Sequence, residues 1–229
     1  MRYPALTSAP ELNWDDLAAI PIQENGEPLA ELEPHERLRL RPAYFSDGIP
    51  GAVNHILLRE SVIARLMQAL ELLPARYGME VLDGWRPVAV QEALRDDFRR
   101  KIMQRHPEFS ETEIAATLDQ FVANPHNRAM PPPHSTGGSV DLTLFDTETG
   151  LALDMGTAFD EPSRKSHSAA LEALPHSPAQ DYRRMLVHIM RQAGFSNIPT
   201  EWWHFDYGNQ NWAFYTRQTH ALYGMVTTI

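Results

Sequence analysis

Residues 134–144 read HSTGGSVDLTL, and this stretch decides the fold prediction because it joins a loop to a strand through two glycines. From Ser139 onward, polar and apolar residues alternate, which is the period of a half-buried β-strand. The alternation places Asp141 on the polar face of that strand. Since Gly137 and Gly138 let the chain fold back tightly, His134 and Asp141 can converge. They are either ligands for a metal ion or an ordinary loop histidine and a turn-capping aspartate.

Helical periodicity surrounds this strand on both sides. Apolar residues recur at helical spacing after Ser61, and Ser110 with Glu113 forms a capping box ahead of a further apolar stripe. An aromatic-rich region from Glu201 to Tyr215 predicts paired strands. The predicted helices are 61–73, 90–105, one that begins after Ser110, and about 179–193, and the predicted strands are 79–82 and 139–144. This order predicts an α+β fold, with helices packed on one side of a small, mainly antiparallel sheet.

Length and composition restrict the class of protein. The chain has 229 residues, of which 43% are hydrophobic, so it can bury a core, and we expect one domain over residues 1–229. Residues 1–58 are Pro-rich and predict an irregular N-terminal wrap around a core formed by residues 59–229. The sequence contains no cysteine, so any metal must be held by histidine and carboxylate.

Charge and hydropathy argue against two classes of partner. The formal net charge is −10 at pH 7, whereas a nucleic-acid-binding protein needs surplus Lys and Arg to neutralise phosphates. No stretch approaches the roughly 20 apolar residues that a membrane span requires. The N-terminus shows no continuous apolar segment typical of a secretory signal. Taking Met1 as the true start, we expect a cytoplasmic protein with no nucleic-acid and no membrane partner.

A second candidate site lies at residues 201–205, which read EWWHF. Burial among aromatic side chains is costly for Glu201 and for His204 unless each is paired or binds a metal. Positions three apart in a strand lie on opposite faces, so a bulge or a turn must intervene if both serve one site. The alternative is that the tryptophans are core residues and Glu201 forms a salt bridge at the rim.

A third candidate is Arg86, in the sequence DGWRP at residues 83–87. Pro87 keeps the backbone at Arg86 extended at the end of a predicted strand. A guanidinium is permanently charged and can bind a carbonyl oxygen or a carboxylate. Taken alone, such an arginine is more often part of a structural ion pair.

These motifs together resemble those of one enzyme family. In chain order they are residues 83–87, residues 134–144, residues 154–157 (DMGT) with Phe159 and Asp160, and residues 201–205. The set resembles the D-alanyl-D-alanine dipeptidases, zinc metallopeptidases of a superfamily that also includes peptidoglycan D,D-carboxypeptidases and the signalling domain of hedgehog proteins. The resemblance runs from about residue 56 through 204. It implies a hedgehog- and D,D-peptidase-like α+β fold with residues 59–229 as the catalytic core.

The resemblance assigns a role to each candidate residue. It implies that His134, Asp141 and His204 hold one Zn2+ per chain, and three protein ligands leave a fourth position open for water. Glu201 would be the catalytic base that takes a proton from the metal-activated water and passes it to the leaving amine. Arg86 would stabilise the oxyanion of the tetrahedral intermediate.

The implied reaction is zinc-dependent hydrolysis of D-alanyl-D-alanine or a related D,D-dipeptide. The partner is then a small dipeptide, and Asp160 would bind its ammonium or else cap a turn. Two alternatives stay open: a peptidoglycan D,D-carboxypeptidase or endopeptidase, and a catalytically silent zinc-binding interaction module. Pro132 stands where the family frequently has a serine, so the resemblance does not fix the substrate preference. The family resemblance implies a homodimer at most.

Overall fold

The computed structural model describes residues 3–8, 10, 13–121 and 123–227. Its helices are α1 (Trp14–Ala18), α2 (Ala43–Ser46), α3 (Glu60–Leu72), α4 (Val88–Arg105), α5 (Glu111–Phe121), α6 (Pro178–Gln192) and α7 (Gln210–Thr216), with short 3-10 helices at Pro133–Thr136, Arg164–Ser166 and Ala170–Ala173. Its strands are β1 (Leu29–Glu31), β2 (Leu38–Leu40), β3 (Leu57–Arg59), β4 (Tyr77–Asp83), β5 (Ser139–Asp146), β6 (Ser196–Asn197) and β7 (His204–Asp206). The α+β class is confirmed, and α3 to α6 with β4 and β5 match the predicted elements to within two residues at each end.

Five strands form the main sheet, in the order β2-β4-β5-β7-β6. β4, β5, β7 and β6 pair antiparallel, and β2 runs parallel to β4 at one edge. The sheet is therefore mainly antiparallel, as predicted. β5 lies at its centre, with β4 on one side and β7 on the other. β1 and β3 form a separate antiparallel pair.

One face of the sheet packs against α3 and α6. Val140, Leu142 and Leu144 alternate along β5 and are completely buried in the main apolar core. Leu66 of α3 and Leu186 of α6 are buried in the same core. Each fully buried aliphatic side chain of this kind contributes roughly 1.5–3 kcal/mol to stability. The predicted position of helices on one side of the sheet is confirmed for this helix pair.

The opposite face of β5 is also buried, which the sequence pattern did not indicate. Alternating polar and apolar residues are typical of a strand with one face in solvent, but all eight residues of β5 are buried. Ser139, Asp141 and Thr143 are therefore enclosed polar side chains, and such groups need polar partners. This second face carries the candidate site.

The final aromatic segment differs from the predicted paired strands. β7 is only three residues long, and Gly208, with φ +75°, ends it in a turn before α7. The side chain of Asn209 accepts a hydrogen bond from the backbone N of Trp212 at 3.0 Å, which is the N-cap geometry that starts a helix. Aromatic side chains pack as well from a helix as from a strand, so their abundance did not distinguish the two.

The N-terminal segment contains more regular structure than the predicted irregular wrap. In the described part of residues 1–58, β2 extends the main sheet and β1 pairs with β3. These strands have three residues each, which is too short for a hydrophobic period to be recognised. The segment therefore supplies one edge of the sheet.

α4 and α5 form a helical hairpin with a small apolar core of its own. The predicted capping box is confirmed: the Glu113 carboxylate accepts from the backbone N of Ser110 at 2.8 Å, and Ser110 Oγ accepts from the backbone N of Glu113 at 3.4 Å.

Among the described residues, no helix is both long enough and apolar enough to pass through a membrane.

Candidate metal centre

Three side chains that could hold a metal converge on the second face of β5. Asp141 in β5 and His204 in β7 are direct cross-strand partners. His134 lies on a short 3-10 helix that ends at Gly137, which has φ +71°. This left-handed conformation turns the chain into β5 and brings His134 back over Asp141. A Cβ at Gly137 would also lie 2.3 Å from Cδ2 of Leu29, so a larger residue cannot be accommodated without a shift.

The potential ligand atoms of these three residues form a small triangle. Nε2 of His134 lies 3.1 Å from Nδ1 of His204, which lies 3.0 Å from Oδ1 of Asp141. The third side runs 3.3 Å from Nε2 of His134 to the other carboxylate oxygen of Asp141, Oδ2, so the third corner of the triangle is the carboxylate group. Tetrahedral ligands about 2.0–2.2 Å from a zinc ion stand about 3.3–3.6 Å from one another. The triangle is therefore close to the size that one such ion requires.

Hydrogen bonds on the outer side of each imidazole orient both rings. Nδ1 of His134 lies 2.8 Å from the carbonyl oxygen of Gly84, which can only accept, so Nδ1 carries the proton and donates. Nε2 of His204 lies 2.9 Å from Oδ1 of Asp206, a second acceptor. When it is neutral, each ring therefore presents its other nitrogen, with a lone pair, to the triangle. Such outer partners are typical of metal-binding histidines.

Asp206 is itself held in a buried hydrogen-bond network. Its carboxylate is fully buried and accepts from Ser139 Oγ at 2.6 Å, from Asn209 Nδ2 at 2.6 Å and from Asn211 Nδ2 at 3.2 Å. Burial alone would raise its pKa, but the charge of His204 and these hydrogen bonds lower it, so Asp206 stays ionised. The ionised group fixes the orientation of the His204 ring.

The electrostatics of the triangle favour a cation. His134, Asp141 and His204 are no more than 5% exposed. Burial disfavours the ionised form of Asp141, yet the neighbouring His134 and His204 hold its pKa well below the usual range. Burial likewise disfavours charge on His204, but Asp206 and Asp141 raise its pKa well above the ordinary value. The cluster thus stabilises positive charge, as a metal site does.

Glu201 lies at the edge of the cluster. Its Oε2 is 4.0 Å from Nδ1 of His204, and 38% of its side chain is exposed. A turn at residues 202–203 separates Glu201 from β7 and allows Glu201 and His204 to approach one point. This is the turn or bulge that the spacing of the two residues required. Nδ2 of Asn197 donates to the carbonyl oxygens of Glu201 at 2.9 Å and His204 at 2.8 Å, which fixes this turn. Burial raises the pKa of the Glu201 carboxyl to about 7.

Arg86 reaches the same cluster from the end of β4. Its Nη2 lies 2.7 Å from Oδ2 of Asp83 and 3.9 Å from Oδ2 of Asp141. Its Nη1 donates to Oε1 of Gln91 at 2.8 Å, and its guanidinium lies over the ring of Tyr44. Arg86 therefore forms an ion pair with Asp83, and this pair positions the guanidinium beside the candidate ligand Asp141.

Asp160 is connected to the cluster by hydrogen bonds of the Tyr44 hydroxyl. The hydroxyl of Tyr44 donates to Oδ2 of Asp160 at 3.3 Å and accepts from Nη2 of Arg86 at 3.3 Å. Asp160 has φ +60°, a left-handed conformation that is strained for a residue other than glycine. The structure thus joins Asp160 to Arg86 through one hydroxyl.

Three residues of this arrangement were missed from the sequence. Asp206 lies two positions after His204 and so on the same face of β7, which was a usable signal. Asp83 was present in the quoted DGWRP motif but received no role. Tyr44 lies in the Pro-rich segment 1–58, where no pattern distinguished it.

Most of the chain matches one protein family. A family model described as D-ala-D-ala dipeptidase matches residues 28–223. The chain belongs to this family. The resemblance inferred from the motifs is confirmed, and the matched range is wider than the one they covered. As a member of the D-Ala-D-Ala dipeptidase family, the chain carries all six candidate site residues within the matched range.

Relatives in several bacteria are similar over much of their length. The D-alanyl-D-alanine dipeptidase of Synechocystis sp. is 38% identical over 91% of this chain and 95% of its own length. That of Enterococcus faecium is 31% identical over 67% of this chain and 74% of its own. A zinc complex of a mutant of the vancomycin resistance D,D-pentapeptidase VanY is 15% identical, with a TM-score of 0.44 over 73% of this chain and 83% of that one.

Proposed function

We propose that this protein is a zinc-dependent dipeptidase that hydrolyses D-alanyl-D-alanine or a related D,D-dipeptide. One observation carries the proposal: two imidazole nitrogens lie 3.1 Å apart, and each lies 3.0–3.3 Å from one oxygen of the Asp141 carboxylate, beside Glu201. Membership of the D-Ala-D-Ala dipeptidase family supports the substrate class.

The donor set fits a catalytic zinc ion. Two histidines and one carboxylate are a ligand set of catalytic zinc sites, which keep a further position open. We assign His134, Asp141 and His204 as the ligands, because these three buried side chains form a cluster that could hold a metal ion. When bound, zinc supplies Lewis-acid chemistry, which polarises the scissile carbonyl and lowers the pKa of water.

Glu201 is assigned as the general base and then the general acid. Its carboxylate accepts a proton from the attacking water as the new C–O bond forms. It returns that proton to the nitrogen of the leaving amino acid as the C–N bond breaks. Burial raises the pKa of this carboxyl and the charge of zinc opposes that rise, and a pKa between the ordinary value and about 7 lets the group gain and lose a proton.

Arg86 is assigned to the developing negative charge on the carbonyl oxygen. Its guanidinium is fixed by Asp83, Gln91 and Tyr44 and cannot turn away from the cluster without breaking those hydrogen bonds. A positive charge held in advance stabilises an oxyanion without the cost of reorganisation.

Asp160 is assigned to the ammonium end of the dipeptide. Its carboxylate is joined to Arg86 through Tyr44. A carboxylate beside the reacting centre distinguishes a free dipeptide, whose ammonium it can pair, from a longer peptide that has an amide there.

Hydrolysis of a peptide panel tests this function. The panel contains D-Ala-D-Ala, its L,L and L,D isomers, and a pentapeptide that ends in D-Ala-D-Ala. We expect kcat/KM for the D,D-dipeptide to exceed the others by about tenfold or more. Chelation should abolish hydrolysis, and added Zn2+ should restore it. Glu201→Gln, purified in parallel, controls for contaminating peptidases.

Two results would overturn the proposal. Equal or better cleavage of the pentapeptide would indicate a carboxypeptidase. Zinc binding without cleavage of any member of the panel would indicate an interaction module.

A further inference from the structure

A cavity lies outside the candidate metal centre. Its volume is about 230 Å3, and its walls come from the N-terminal segment around Thr7, residues 164–170, α6, and the end of β6. Among the described residues that line it, none is assigned to the metal or to catalysis. The cavity is therefore distinct from the candidate ligands and base, and its lining residue Asn197 also holds the turn between Glu201 and His204.

Positive charge lines this cavity without acidic side chains to balance it. Arg164 and Arg191 stand at its walls beside the imidazole of His167, and the described lining contains no Asp or Glu. The chain as a whole has 30 acidic against 20 basic residues, so an acid-free concavity is unexpected. Within the described part of the chain, the guanidinium groups of Arg164 and Arg191 make no hydrogen bond or ion pair with another protein group. Most other arginines near the surface make such contacts, as in the pairs Arg76–Asp146 and Arg184–Glu172.

Neutral hydrogen-bond donors complete the lining. Thr7, Ser8 and Ser168, which carry hydroxyls, also line the cavity. Ser168 Oγ already donates to Oδ1 of Asn197 at 2.6 Å, whereas those of Thr7 and Ser8 are exposed. Guanidinium groups present several N–H donors in a planar fork that matches the oxygens of phosphate and carboxylate groups.

We propose that this cavity binds a small anion through a phosphate group, either inorganic phosphate or a phosphomonoester. Two guanidinium groups and three hydroxyls belong to residues that line the cavity, and a tetrahedral group with several acceptor oxygens can bind several such donors. The dipeptide and its amino-acid products do not fit this chemistry, because their ammonium would find no acidic partner. Partial burial lowers the pKa of Arg191, as expected for a guanidinium with no anion beside it, and a bound phosphate reverses that effect.

Calorimetric titration of the zinc-loaded protein with inorganic phosphate at low ionic strength tests the proposal. We expect one phosphate per chain, and Arg164→Ala and Arg191→Ala should each weaken it by about tenfold, the effect of losing one charge-assisted contact. Arg191→Glu should abolish it. Arg105→Ala is the matched control, because Arg105 is also an exposed arginine in the last turn of a helix, and it should bind within about twofold of the original chain.

Two further titrations identify the ligand. Phenyl phosphate binding more tightly than inorganic phosphate would indicate a monoester, since apolar residues such as Val187 share the cavity. D-alanine should give no heat that depends on Arg164 or Arg191.

Three outcomes would overturn the proposal. The first is no detectable phosphate binding to the original chain. The second is binding that is insensitive to both arginine substitutions and is lost on removal of zinc, which would place the phosphate at the metal centre. The third is arginine-dependent binding of D-alanine as tight as that of phosphate.

Discussion

Asp206 accepts a hydrogen bond from Nε2 of His204 at 2.9 Å, on the side of the ring opposite His134 and Asp141. The contact leaves Nδ1 of His204 as the atom that faces the cluster. Because Asp206 is fully buried and held by three other side chains, it cannot follow the ring if the ring rotates. The sheet therefore fixes which nitrogen of His204 faces the candidate metal site.

Asp206→Asn should weaken zinc binding. The amide can present an N–H to Nε2 and so favour the other tautomer, which places a proton on the nitrogen that faces the metal. Loss of such an outer partner typically costs about 10–100-fold in metal affinity. Zinc dissociation constants measured by competition with a chromogenic chelator check this. Asp146→Asn is the control, since Asp146 is another buried aspartate of the sheet but pairs with Arg76, and an equal effect in both variants would contradict the account.

The activity should fall on the acid side because Glu201 must be ionised to act as a base. Burial raises its pKa to about 7 in the metal-free protein, and the positive charge of zinc lowers it again. The logarithm of kcat/KM should therefore rise with pH and level off at or below about pH 7. Glu201→Gln should lower kcat by about 10²–10⁴-fold while the protein keeps its zinc. A rate that does not change when Glu201 is replaced would exclude it as the base.

Arg86→Ala should lower turnover more than it lowers zinc content. Removal of one group that stabilises an oxyanion costs about 10²–10³ in kcat, whereas the three ligands remain in place. Parallel assays of kcat and of zinc per chain measure the two effects. Arg76→Ala is the control, because Arg76 also pairs with an aspartate of the sheet but lies away from the cluster. Loss of zinc in proportion to loss of activity would make Arg86 a structural residue.

Gly137→Ala should destabilise the protein, because two costs coincide there. A left-handed φ costs a non-glycine residue roughly 1–3 kcal/mol, and the new Cβ would also meet Cδ2 of Leu29 at 2.3 Å. Gly26→Ala separates the two costs, since Gly26 has φ +74° with no atom within 4 Å of its Cβ position. The free energy of unfolding in urea should fall more for Gly137→Ala. Equal losses would mean that Leu29 moves aside without cost.

The sequence predicted the elements in which a hydrophobic pattern repeats over many residues. α3, α4 and α6 each repeat an apolar stripe over at least thirteen residues, so their boundaries could be located from the sequence. α7 has seven residues and begins at a cap on Asn209, so local chemistry and not periodicity determined it. The burial of both faces of β5 depends on segments distant in sequence that cover it, and no local pattern reports on them.

The candidate site was predictable where its residues belong to short motifs. His134 and Asp141 share one motif, and Glu201 and His204 share another. The partners that orient them are different. Every residue has a backbone carbonyl, so nothing in the sequence marks the carbonyl of Gly84 as the partner of His134. Tyr44 comes from a segment with no pattern, so only the folded chain shows that it contacts Arg86.

Anomalous X-ray diffraction at the zinc absorption edge, from crystals of the zinc-loaded protein, tests the central claim most directly. We expect one anomalous peak per chain, about 2.0–2.2 Å from Nε2 of His134, Nδ1 of His204 and a carboxylate oxygen of Asp141. A peak bound by other residues, or no peak in fully loaded protein, would contradict the account.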